Sequence, residues 1–366
     1  MLKYVDDSLP GISRRRRGQY WQYFKADGSR VTDRDEIDRL NGVGMPPAYE
    51  RCWFCPLPDG HIQAVGYDSK GRKQYRYHPD FRAERETAKY ERLAAFGRAL
   101  PKLRRRVEED LTGKPTAADT VLAAVVRLID ETRMRVGNEE YAKQNKSFGA
   151  TTLRNRHARV ERGRLKITYT GKHAIKRTVT ISDRNLVRIA KRTQDLPGQN
   201  LFEYVTDEGA ISPVTSGDVN AYIKAAMGDD FTAKDFRTWG ASVIAFEEME
   251  RRLRKHGKVK LKSVMEPVAE ALGNTPAISR KSYVHPALIE AAKDAGAIGA
   301  RKLPRPSKYL SAGERGLIEF LDALPEETRK LDEKIEDRAK ARGESKAAAE
   351  SEIAAEAEKR LKAEAA

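Results

Sequence analysis

The chain has 366 residues, and its 70 Lys and Arg outnumber 54 Asp and Glu, which gives a formal net charge of +16 and an isoelectric point near 9.6. A chain of this length buries a substantial core and is expected to divide into two domains. The positive excess favours a polyanionic partner, because side chains that neutralise phosphates release counterions. Nucleic acid is the leading candidate and an anionic membrane surface is the alternative.

No apolar run approaches the roughly 20 residues of a membrane span, and the amino terminus lacks a secretion signal, so we expect a cytoplasmic protein.

Residues 1–84 are predicted to form a small β-rich domain. Turn signals at Asp27-Gly28, Asp59-Gly60 and Lys70-Gly71 separate runs that are rich in aromatic and β-branched residues. This pattern is typical of short strands joined by tight turns.

The sequence contains two cysteines, Cys52 and Cys55, in the run CWFC. Two thiols cannot complete a four-ligand zinc site alone. His61 and His78 could supply the other ligands, but HIQAVGY and YRYHP read as strands, so we interpret the cysteines as strand thiols and keep zinc as the alternative. No GxxxxGK[ST] loop occurs, and we therefore expect no ATP site built on a phosphate-cradling loop.

Residues 85–310 are predicted to form a larger, mainly helical domain. Helical periodicity begins in AERETAKYERLAAFGRALPKLRRRVEEDL and continues in TAADTVLAAVVRLIDETRMRVG. Thr116 and Asp119 are spaced like a capping box at the start of the second helix, and Gly137 suits the left-handed position just after its end.

Three short alternating runs follow: TTLRNRHARV, RLKITYT and AIKRTVTIS. They predict hairpins that turn at residues 161–163 and 170–172, which places Lys172 at a hairpin tip. Beyond Asp183 the chain is predicted to be helical to about Ala295, with Thr232 as the cap of the helix in KDFRTWGASVIAFEEMERRLRK.

Residues 311–366 differ from the rest in composition. They contain 11 Lys and Arg against 15 Asp and Glu, and opposite charges recur three or four residues apart. This pattern predicts a solvent-exposed helical or disordered tail rather than part of the core. A passive extension is the preferred interpretation, and a tail that tempers nucleic-acid affinity is the alternative.

Four segments occur in the order RMRVGNEEYAKQN, TYTGKHAIK, KDFRTWGAS and LGNTPAISRKSY. Together they resemble the catalytic segments of poxvirus-type DNA topoisomerases IB, including their bacterial relatives. The likeness includes MPPAYERCWFCPLPDGHIQAVGYDSKGRKQYRYHP and covers roughly residues 30–296. It implies an α+β protein, in which a small antiparallel sheet domain clamps DNA and a mainly helical catalytic domain has the fold shared with tyrosine recombinases.

The resemblance also implies a role for each catalytic candidate. Tyr283 would attack DNA, forming a covalent bond to a 3′ phosphate and releasing a 5′ hydroxyl. Arg135 and Arg237 would grip the scissile phosphate, since a guanidinium stays charged and offers a rigid pair of donors. Lys172 would protonate the departing 5′ oxygen, since the pKa of an ammonium falls readily on desolvation near other cations. Asn274 stands where histidine is commoner in the family, and its amide can donate a hydrogen bond but carries no charge.

Structural alternatives exist for these residues. Arg135 could complement the end of a helix, and Arg237 could form a surface ion pair with Asp235 or Glu248. Asn274 could be a helix cap, Lys172 an ordinary turn residue, and Tyr283 an ordinary surface or core tyrosine.

The strand in GRKQYRYHP alternates basic with aromatic or amide residues, and the pattern alone does not tell which face meets DNA. The family resemblance implies DNA contacts for Arg72, Gln74, Tyr75 and Tyr77, and a phosphate contact near the cleavage point for Tyr141.

The family resemblance implies a type IB topoisomerase that relaxes supercoiled duplex DNA without ATP, metal or any other cofactor, and we expect it to act as a monomer at the nucleoid. A tyrosine recombinase or integrase is the nearest alternative. Those enzymes usually have a histidine three residues before the second arginine, where this chain has Lys234. A non-enzymatic DNA-binding protein on the same fold is the third possibility, and Asn274 is its sole support in the sequence.

Overall fold

A computed structural model describes residues 2–228, 230–293 and 302–324 of the chain. The described residues form two compact units, of which the first ends at Glu91 and the second begins at Arg92. The domain boundary predicted at residue 84 falls within the last helix of the first unit. An antiparallel sheet in the first unit and a mainly helical second unit confirm the predicted α+β class.

The first unit is built on a five-stranded antiparallel sheet. Its elements are β1 (Ile12–Arg17), β2 (Tyr20–Phe24), α1 (Arg34–Gly42), β3 (Glu50–Phe54), β4 (Ile62–Tyr67), β5 (Lys73–Tyr77) and α2 (Pro79–Glu91). The strand order is β2-β1-β3-β4-β5. Ile12, Phe54 and Ala64 are cross-strand neighbours that pack with Leu40 of α1 in the core. Helix α1 is missing from the sequence-based prediction because it is short and strongly charged, with few apolar positions to reveal a helical period.

The second unit is mainly helical. Its helices are α3 (Leu93–Asp110), α4 (Ala118–Thr132), α5 (Glu139–Asn145), α6 (Arg184–Gln194), α7 (Ser216–Met227), α8 (Asp235–His256), α9 (Leu261–Leu272), α10 (Pro276–Ser282), α11 (Pro286–Ala291) and α12 (Ala312–Asp322). Its strands are β6 (Ala158–Glu161), β7 (Arg164–Thr170), β8 (Lys176–Ile181), β9 (Glu203–Val205) and β10 (Ile211–Pro213). Phe96 of α3, Leu128 of α4 and Trp239 of α8 lie in one buried apolar core.

The three-stranded antiparallel sheet β6-β7-β8 confirms the two predicted turns. The first predicted strand is wrong over most of its length, because β6 begins only at Ala158 and two short 3-10 helices, Ala150–Thr152 and Asn155–His157, precede it. Glu161 pairs with Arg164 across the first turn, and Lys172 lies in the connection between β7 and β8. The hairpin of β9 and β10 contradicts the helix predicted throughout the region after Asp183. Each of its strands has three residues, which is too short for an alternating pattern to show.

Helix α4 ends earlier than predicted. It has no side-chain cap at its start, and Arg133, just after its end, is left-handed with φ 55°. The capping pair predicted at Thr116 and Asp119 and the end predicted at Gly137 are therefore wrong. The physical reason is that the backbone after Arg133 pairs with the segment before β6 instead of continuing the helical hydrogen bonds.

Helix α8 begins at Asp235, three residues after its predicted cap. The hydroxyl and the backbone N–H of Thr232 both donate to the Asp235 carboxylate, at 2.9 and 2.7 Å. Thr232 therefore stabilises the start of α8, and its carbonyl oxygen also accepts from the Asp235 N–H at 3.0 Å. Its side-chain hydroxyl, however, donates to a carboxylate instead of accepting from the helix backbone as a cap would. This start places Arg237 in the first turn.

The charged carboxyl-terminal region is not uniformly exposed. The buried apolar residues of α12 are Leu317, Phe320 and Leu321. Glu314 accepts hydrogen bonds from Arg104 at 2.7 Å and from Trp239 at 3.1 Å. The exposed tail predicted from residue 311 is therefore wrong for residues 312–322, because the apolar face of α12 packs on α3 and α8. The remainder of that predicted tail, residues 325–366, lies outside the described residues.

The cysteine thiols are free, with Cys52 in β3 and Cys55 buried directly after it. The imidazoles of His61 and His78 accept hydrogen bonds from backbone N–H groups. Among the described residues, no three His, Cys, Asp or Glu side chains are grouped as metal ligands. No helix within the described ranges is long and apolar enough to cross a membrane.

Candidate active site

Arg135 lies in the irregular segment that follows α4. Its carbonyl group accepts a hydrogen bond from the N–H of Ala150 at 2.8 Å. The two backbone segments approach so closely that a Cβ atom on Gly149 would lie 2.5 Å from the Arg135 carbonyl oxygen, so glycine is required there. The half-buried side chain of Arg135 donates from Nη2 to Oδ1 of Asn274 at 3.1 Å. Arg135 thus reaches across to α9 and its following turn and does not serve as the end cap of α4.

Arg237 is buried, with 5% of its surface exposed. Its Nη1 donates to the carbonyl oxygen of Arg133, and its Nη2 donates to that of Leu272 at 3.1 Å. Its Nε is buried and has no acceptor among the described residues. The alternative of a surface ion pair with Asp235 or Glu248 is wrong, because other side chains bind those carboxylates.

Two arginines from different elements bind the carboxyl-terminal end of α9. Arg177 of β8 donates to two consecutive carbonyl groups, at 2.9 and 2.8 Å, and Arg237 donates to the third. The acceptors are Glu270, Ala271 and Leu272. Carbonyl groups in the last turn of a helix have no N–H four residues ahead to bind, and cations are favoured at this end of the helix dipole. The Glu270 carbonyl oxygen also accepts from the Gly273 N–H at 3.1 Å. Gly273 then turns the chain with φ 60°, and Asn274 follows.

Asn274 presents its amide in a defined orientation. Arginine can only donate, so the side-chain oxygen of Asn274 must face Arg135, which leaves the NH₂ group on the other side. That nitrogen, Nδ2, is buried and has no acceptor in the described part of the chain. Thr275, not Asn274, caps α10 by accepting from the N–H of Ile278 at 3.2 Å, so the helix-cap alternative for Asn274 is wrong.

Tyr283 lies directly after α10, with its half-buried ring against Arg237. The guanidinium carbon of Arg237 is 4.9 Å from the centre of the ring. The Ser242 hydroxyl of α8 donates to the Tyr283 carbonyl oxygen at 3.4 Å and accepts from the N–H of His285 at 3.1 Å, so α8 holds the backbone on both sides of the phenol. Burial raises the pKa of Tyr283, but Arg237 and Arg135 outweigh burial and set the pKa below its ordinary value. A phenol with a lowered pKa is a better nucleophile near neutral pH.

Lys172 is exposed in the connection between β7 and β8. The N–H of Gly171 donates to the carbonyl oxygen of Ile175 at 2.8 Å and closes this loop. His173 and Ala174 are left-handed, with φ 63° and 58°. Left-handed backbone in residues other than glycine costs about 1–3 kcal/mol per residue and is concentrated at functional loops.

Positively charged side chains of this region line one cleft. Its lining includes Arg135, Lys172, Arg177 and Arg237. Tyr283 and Asn274 do not line the cleft but contact its walls, Tyr283 at Arg237 and Asn274 at Arg135. The fold therefore brings the five predicted catalytic residues into one region of the second unit.

The cleft residues that were not predicted include Tyr169 and Arg177. They face each other as a cross-strand pair in β7 and β8. Burial raises the pKa of Tyr169, although Arg177, Arg237 and Arg135 oppose the effect. The alternation within RLKITYT, paired in register with AIKRTVTIS, is the signal that could have placed both side chains beside Lys172.

The predicted DNA contacts in β5 and at Arg72, the residue just before it, divide into two pairs. Tyr75 and Tyr77 are exposed by 40% and 39%, and their rings stack with centres 5.8 Å apart. Arg72 and Gln74 instead donate to the carboxylate of Asp68, at 2.7 and 3.2 Å. Hydrogen bonds from Arg72 lower the pKa of Asp68 to about 2.

Tyr141 lies in the first turn of α5, six residues after Arg135, and is 36% exposed. Asn138 caps α5 by accepting from the N–H of Tyr141 at 2.9 Å. A salt bridge from Arg154 to Glu139 anchors the same turn. The structure thus presents Tyr141 on a short, fixed helix near Arg135 in the sequence.

A tyrosine held against a buried guanidinium, with a second arginine and a hairpin lysine on the same cleft, defines a site suited to phosphodiester transfer through a phenol. Comparison with known proteins gives the family. Residues 78–303 match the eukaryotic DNA topoisomerase I catalytic core, and residues 20–68 match the bacterial DNA topoisomerase IB N-terminal domain.

Individual relatives agree with this match. The DNA topoisomerase 1B of Acanthamoeba polyphaga mimivirus is 34% identical over 287 residues, which cover 75% of this chain and 85% of the viral protein. That of Vaccinia virus (strain Copenhagen) is 23% identical over 257 residues, 67% of this chain and 76% of the viral protein. Among solved structures, the XerH site-specific recombinase in its post-cleavage complex covers 52% of this chain and 50% of its own, with 20% identity and a TM-score of 0.33, too low to argue from. The chain belongs to the type IB DNA topoisomerase family.

Proposed function

We propose that this type IB topoisomerase relaxes supercoiled duplex DNA by cutting one strand with Tyr283 and then resealing it. The observation that carries the proposal is the packing of the Tyr283 ring against Arg237, 4.9 Å from ring centre to guanidinium carbon, beside the hydrogen bond of Arg135 to Asn274. Family membership supports the class of reaction, and these contacts support the assignment of residues.

In the cleavage step, the phenolic oxygen of Tyr283 attacks the phosphorus of one phosphodiester. The phenolic proton leaves to solvent, and the neighbouring guanidinium groups stabilise the phenolate. Arg237 Nε and Asn274 Nδ2 are buried donors that lack acceptors in the described residues. Leaving a buried donor without an acceptor destabilises a protein by roughly 1–3 kcal/mol. Non-bridging phosphate oxygens would satisfy both donors, and would do so best when negative charge accumulates in the transition state.

The second half of the step breaks the bond between phosphorus and the 5′ oxygen. That oxygen needs a proton to leave, and Lys172 supplies it. The products are a 3′-phosphotyrosyl ester on Tyr283 and a free 5′ hydroxyl. The exposed hairpin position of Lys172 allows its ammonium to reach DNA at the mouth of the cleft.

Resealing is the reverse reaction. The 5′ end rotates under superhelical tension, and its hydroxyl then attacks the phosphotyrosyl ester and releases the phenol. Because the ester conserves the energy of the broken bond, the cycle needs no ATP. The charges that stabilise the pentavalent phosphorus come from arginine and lysine, so we expect the cycle to run without a metal.

The DNA-facing residues outside the catalytic cleft follow from the same proposal. Tyr75, Tyr77 and Tyr141 are exposed and would contact the duplex, and Arg72 and Gln74 would do so in exchange for their bonds to Asp68. We expect the first unit to act as the DNA-clamping domain of a monomer that works on the nucleoid.

Relaxation of a negatively supercoiled plasmid in EDTA, without ATP, tests the proposal. The wild type should relax the plasmid with no partner protein and no paired sites, whereas a recombinase would need both. Tyr283→Phe should bind the plasmid but not relax it. A strict need for magnesium, or relaxation by Tyr283→Phe, would contradict the mechanism, and the absence of any covalent adduct would favour a non-enzymatic DNA-binding protein.

A further inference from the structure

Arg177 touches the candidate active site but has no part in the chemistry above. It pairs with Tyr169 across β7 and β8, and both side chains line the cleft with Lys172. The next pair along the hairpin is Thr170 with Lys176, after which the connection that carries Lys172 begins. Arg177 is therefore placed at the base of the loop that holds the proton donor.

The hydrogen bonds of Arg177 lead away from its own sheet. Its two terminal nitrogens donate to consecutive carbonyl groups at the end of α9, at 2.9 and 2.8 Å. A Cβ atom on Gly273 would lie 2.1 Å from Arg177 Nη1, so the turn that leads to Asn274 is shaped around this guanidinium. A planar guanidinium can bind two such carbonyl oxygens at once, which a lysine cannot copy. Arg177 thus joins the Lys172 hairpin to the segment that carries Asn274.

The hairpin needs such an anchor. Strand β8 is at the edge of its three-stranded sheet. The loop beyond it is exposed and includes the left-handed residues His173 and Ala174. A further tie is the hydrogen bond from the Phe148 N–H to the carbonyl oxygen of Thr170 at 2.8 Å, which holds β7 rather than β8. Because a general acid must stay within hydrogen-bond reach of the leaving atom, the position of β8 affects the efficiency of proton transfer.

We propose that Arg177 is a positioning residue for proton donation by Lys172. By fixing β8 against the end of α9, it keeps the Lys172 ammonium in position beside the phosphate that the site binds. The inference rests on the proposed function, since it assumes that Tyr283 expels a 5′ oxygen.

A change of leaving group distinguishes an effect on proton donation from an effect on phosphate binding or on the fold. In a substrate whose scissile phosphate carries a bridging 5′ sulfur, the leaving group is a thiolate, which needs no proton because thiols are far more acidic than alcohols. Loss of proton donation should slow cleavage of the oxygen substrate and spare the sulfur substrate. Loss of phosphate binding or of the fold should slow both.

Single-turnover cleavage of both substrates by the full-length protein is the experiment. Arg177→Ala should cleave the oxygen substrate at least about tenfold more slowly than the wild type, a fraction of the 10²–10⁴-fold effect of a general acid. Its rate on the sulfur substrate should stay within about threefold of the wild type. On the oxygen substrate, the cleavage rate of Arg177→Lys should lie between those of Arg177→Ala and the wild type. The double variant Lys172→Ala with Arg177→Ala should be no slower than Lys172→Ala, because one residue acts through the other.

The matched control is Arg188→Ala. Arg188 also donates to backbone carbonyl groups, at 2.7 Å to Leu111 and 3.4 Å to Gly113 just after the end of α3, but it does not line the cleft. This variant should lose comparable thermal stability and cleave both substrates at the wild-type rate.

Three results would overturn the proposal. They are an equal slowing of Arg177→Ala on both substrates, an unchanged rate on the oxygen substrate, and multiplicative effects in the double variant. A wild type that forms no adduct with either substrate would instead overturn the proposed function itself.

Discussion

Arg237 has more hydrogen-bond donors than the surrounding carbonyl groups accept. Nη1 and Nη2 bind the backbone at Arg133 and Leu272, and Nε remains for a substrate oxygen. A lysine has one nitrogen and cannot hold the backbone and a phosphate in this geometry. We predict that Arg237→Lys slows single-turnover cleavage about a hundredfold or more, the usual cost of one lost transition-state donor.

Arg252→Lys is the matched control for that variant. Arg252 lies on the same helix and donates to Glu248 at 2.6 Å, away from the cleft. Its replacement should leave the cleavage rate unchanged. An Arg237→Lys enzyme within a few-fold of the wild type would show that charge alone suffices at this position.

The lowered pKa of Tyr283 is open to direct titration. Because folding favours the phenolate, its stabilising contribution is present above the unfolded pKa of about 10 and is lost as the pH falls through the folded pKa. At neutral pH the shift therefore affects reactivity and not stability. Near-ultraviolet absorbance of the DNA-free protein should show one tyrosine that ionises below pH 10, and Tyr283→Phe should remove that step. Arg237→Ala should move the step upward; a step that survives in Tyr283→Phe would belong to another tyrosine.

The catalytic residues differ in how far the sequence could predict them. Arg135, Lys172, Arg237, Asn274 and Tyr283 each lie in a short segment with a recognisable local pattern. The alternation of AIKRTVTIS could place Arg177 beside Lys172, but no local pattern could predict its contact with Glu270, which joins residues 93 positions apart and depends on how β8 meets α9. The sequence also could not predict the contact between Asn274 and Arg135, which are 139 positions apart, although it predicted each residue separately.

At the scale of elements, a buried ionic network joins α12 to the rest of the second unit. Arg104 binds Asp130 and Glu314, and Trp239 also donates to Glu314. Burial raises the pKa of Glu314, but its hydrogen bonds with Arg104 outweigh burial and hold the pKa below its ordinary value. The resulting stability is present above the unfolded pKa and is lost as the pH falls through the folded pKa.

We predict that Glu314→Gln lowers the free energy of unfolding by about 3 kcal/mol, because it leaves Arg104 buried with one carboxylate partner. Chemical denaturation near neutral pH measures this, and the difference from the wild type should shrink in acid. Glu319→Gln, on the exposed side of α12, is the control and should unfold like the wild type. Equal stability of Glu314→Gln and the wild type would show that α12 contributes little to the fold.

Two of the errors at this scale share one cause, which is contact with residues that are distant in the sequence. The sequence of residues 311–366 predicted an exposed helix from its alternating charges, yet Glu314 is buried because Arg104 and Trp239, far away in the sequence, offer it partners. The end of α4 was misplaced because tertiary backbone pairing overrode a local glycine signal. Hairpins β6-β7-β8 were predictable because alternation and turn residues are local features.

At the scale of the whole molecule, the net charge of +16 should make DNA binding fall steeply with salt. Tyr75 and Tyr77 carry no charge, so their replacement should weaken binding without changing the dependence on salt. We predict that the Tyr75→Ala, Tyr77→Ala double variant binds duplex DNA about tenfold more weakly, or about 1.4 kcal/mol. Fluorescence anisotropy at several salt concentrations measures both quantities.

Tyr20→Ala is the control for the sheet. Tyr20 is 78% exposed on β2, at the opposite edge from β5. Its replacement should leave DNA affinity unchanged. A loss as large as that of the β5 variant would mean that the whole sheet, and not β5, contacts DNA.

The most direct test of the account is to identify the residue that becomes covalently attached to DNA. The protein is incubated with supercoiled plasmid in EDTA, denatured during the reaction and digested, and the nucleotide-bearing peptide is identified by mass spectrometry. We predict a single adduct, a 3′-phosphotyrosyl ester on Tyr283, that is absent from Tyr283→Phe. An adduct on any of the other 13 of the 14 tyrosines, or no adduct while the plasmid is relaxed, would contradict the account.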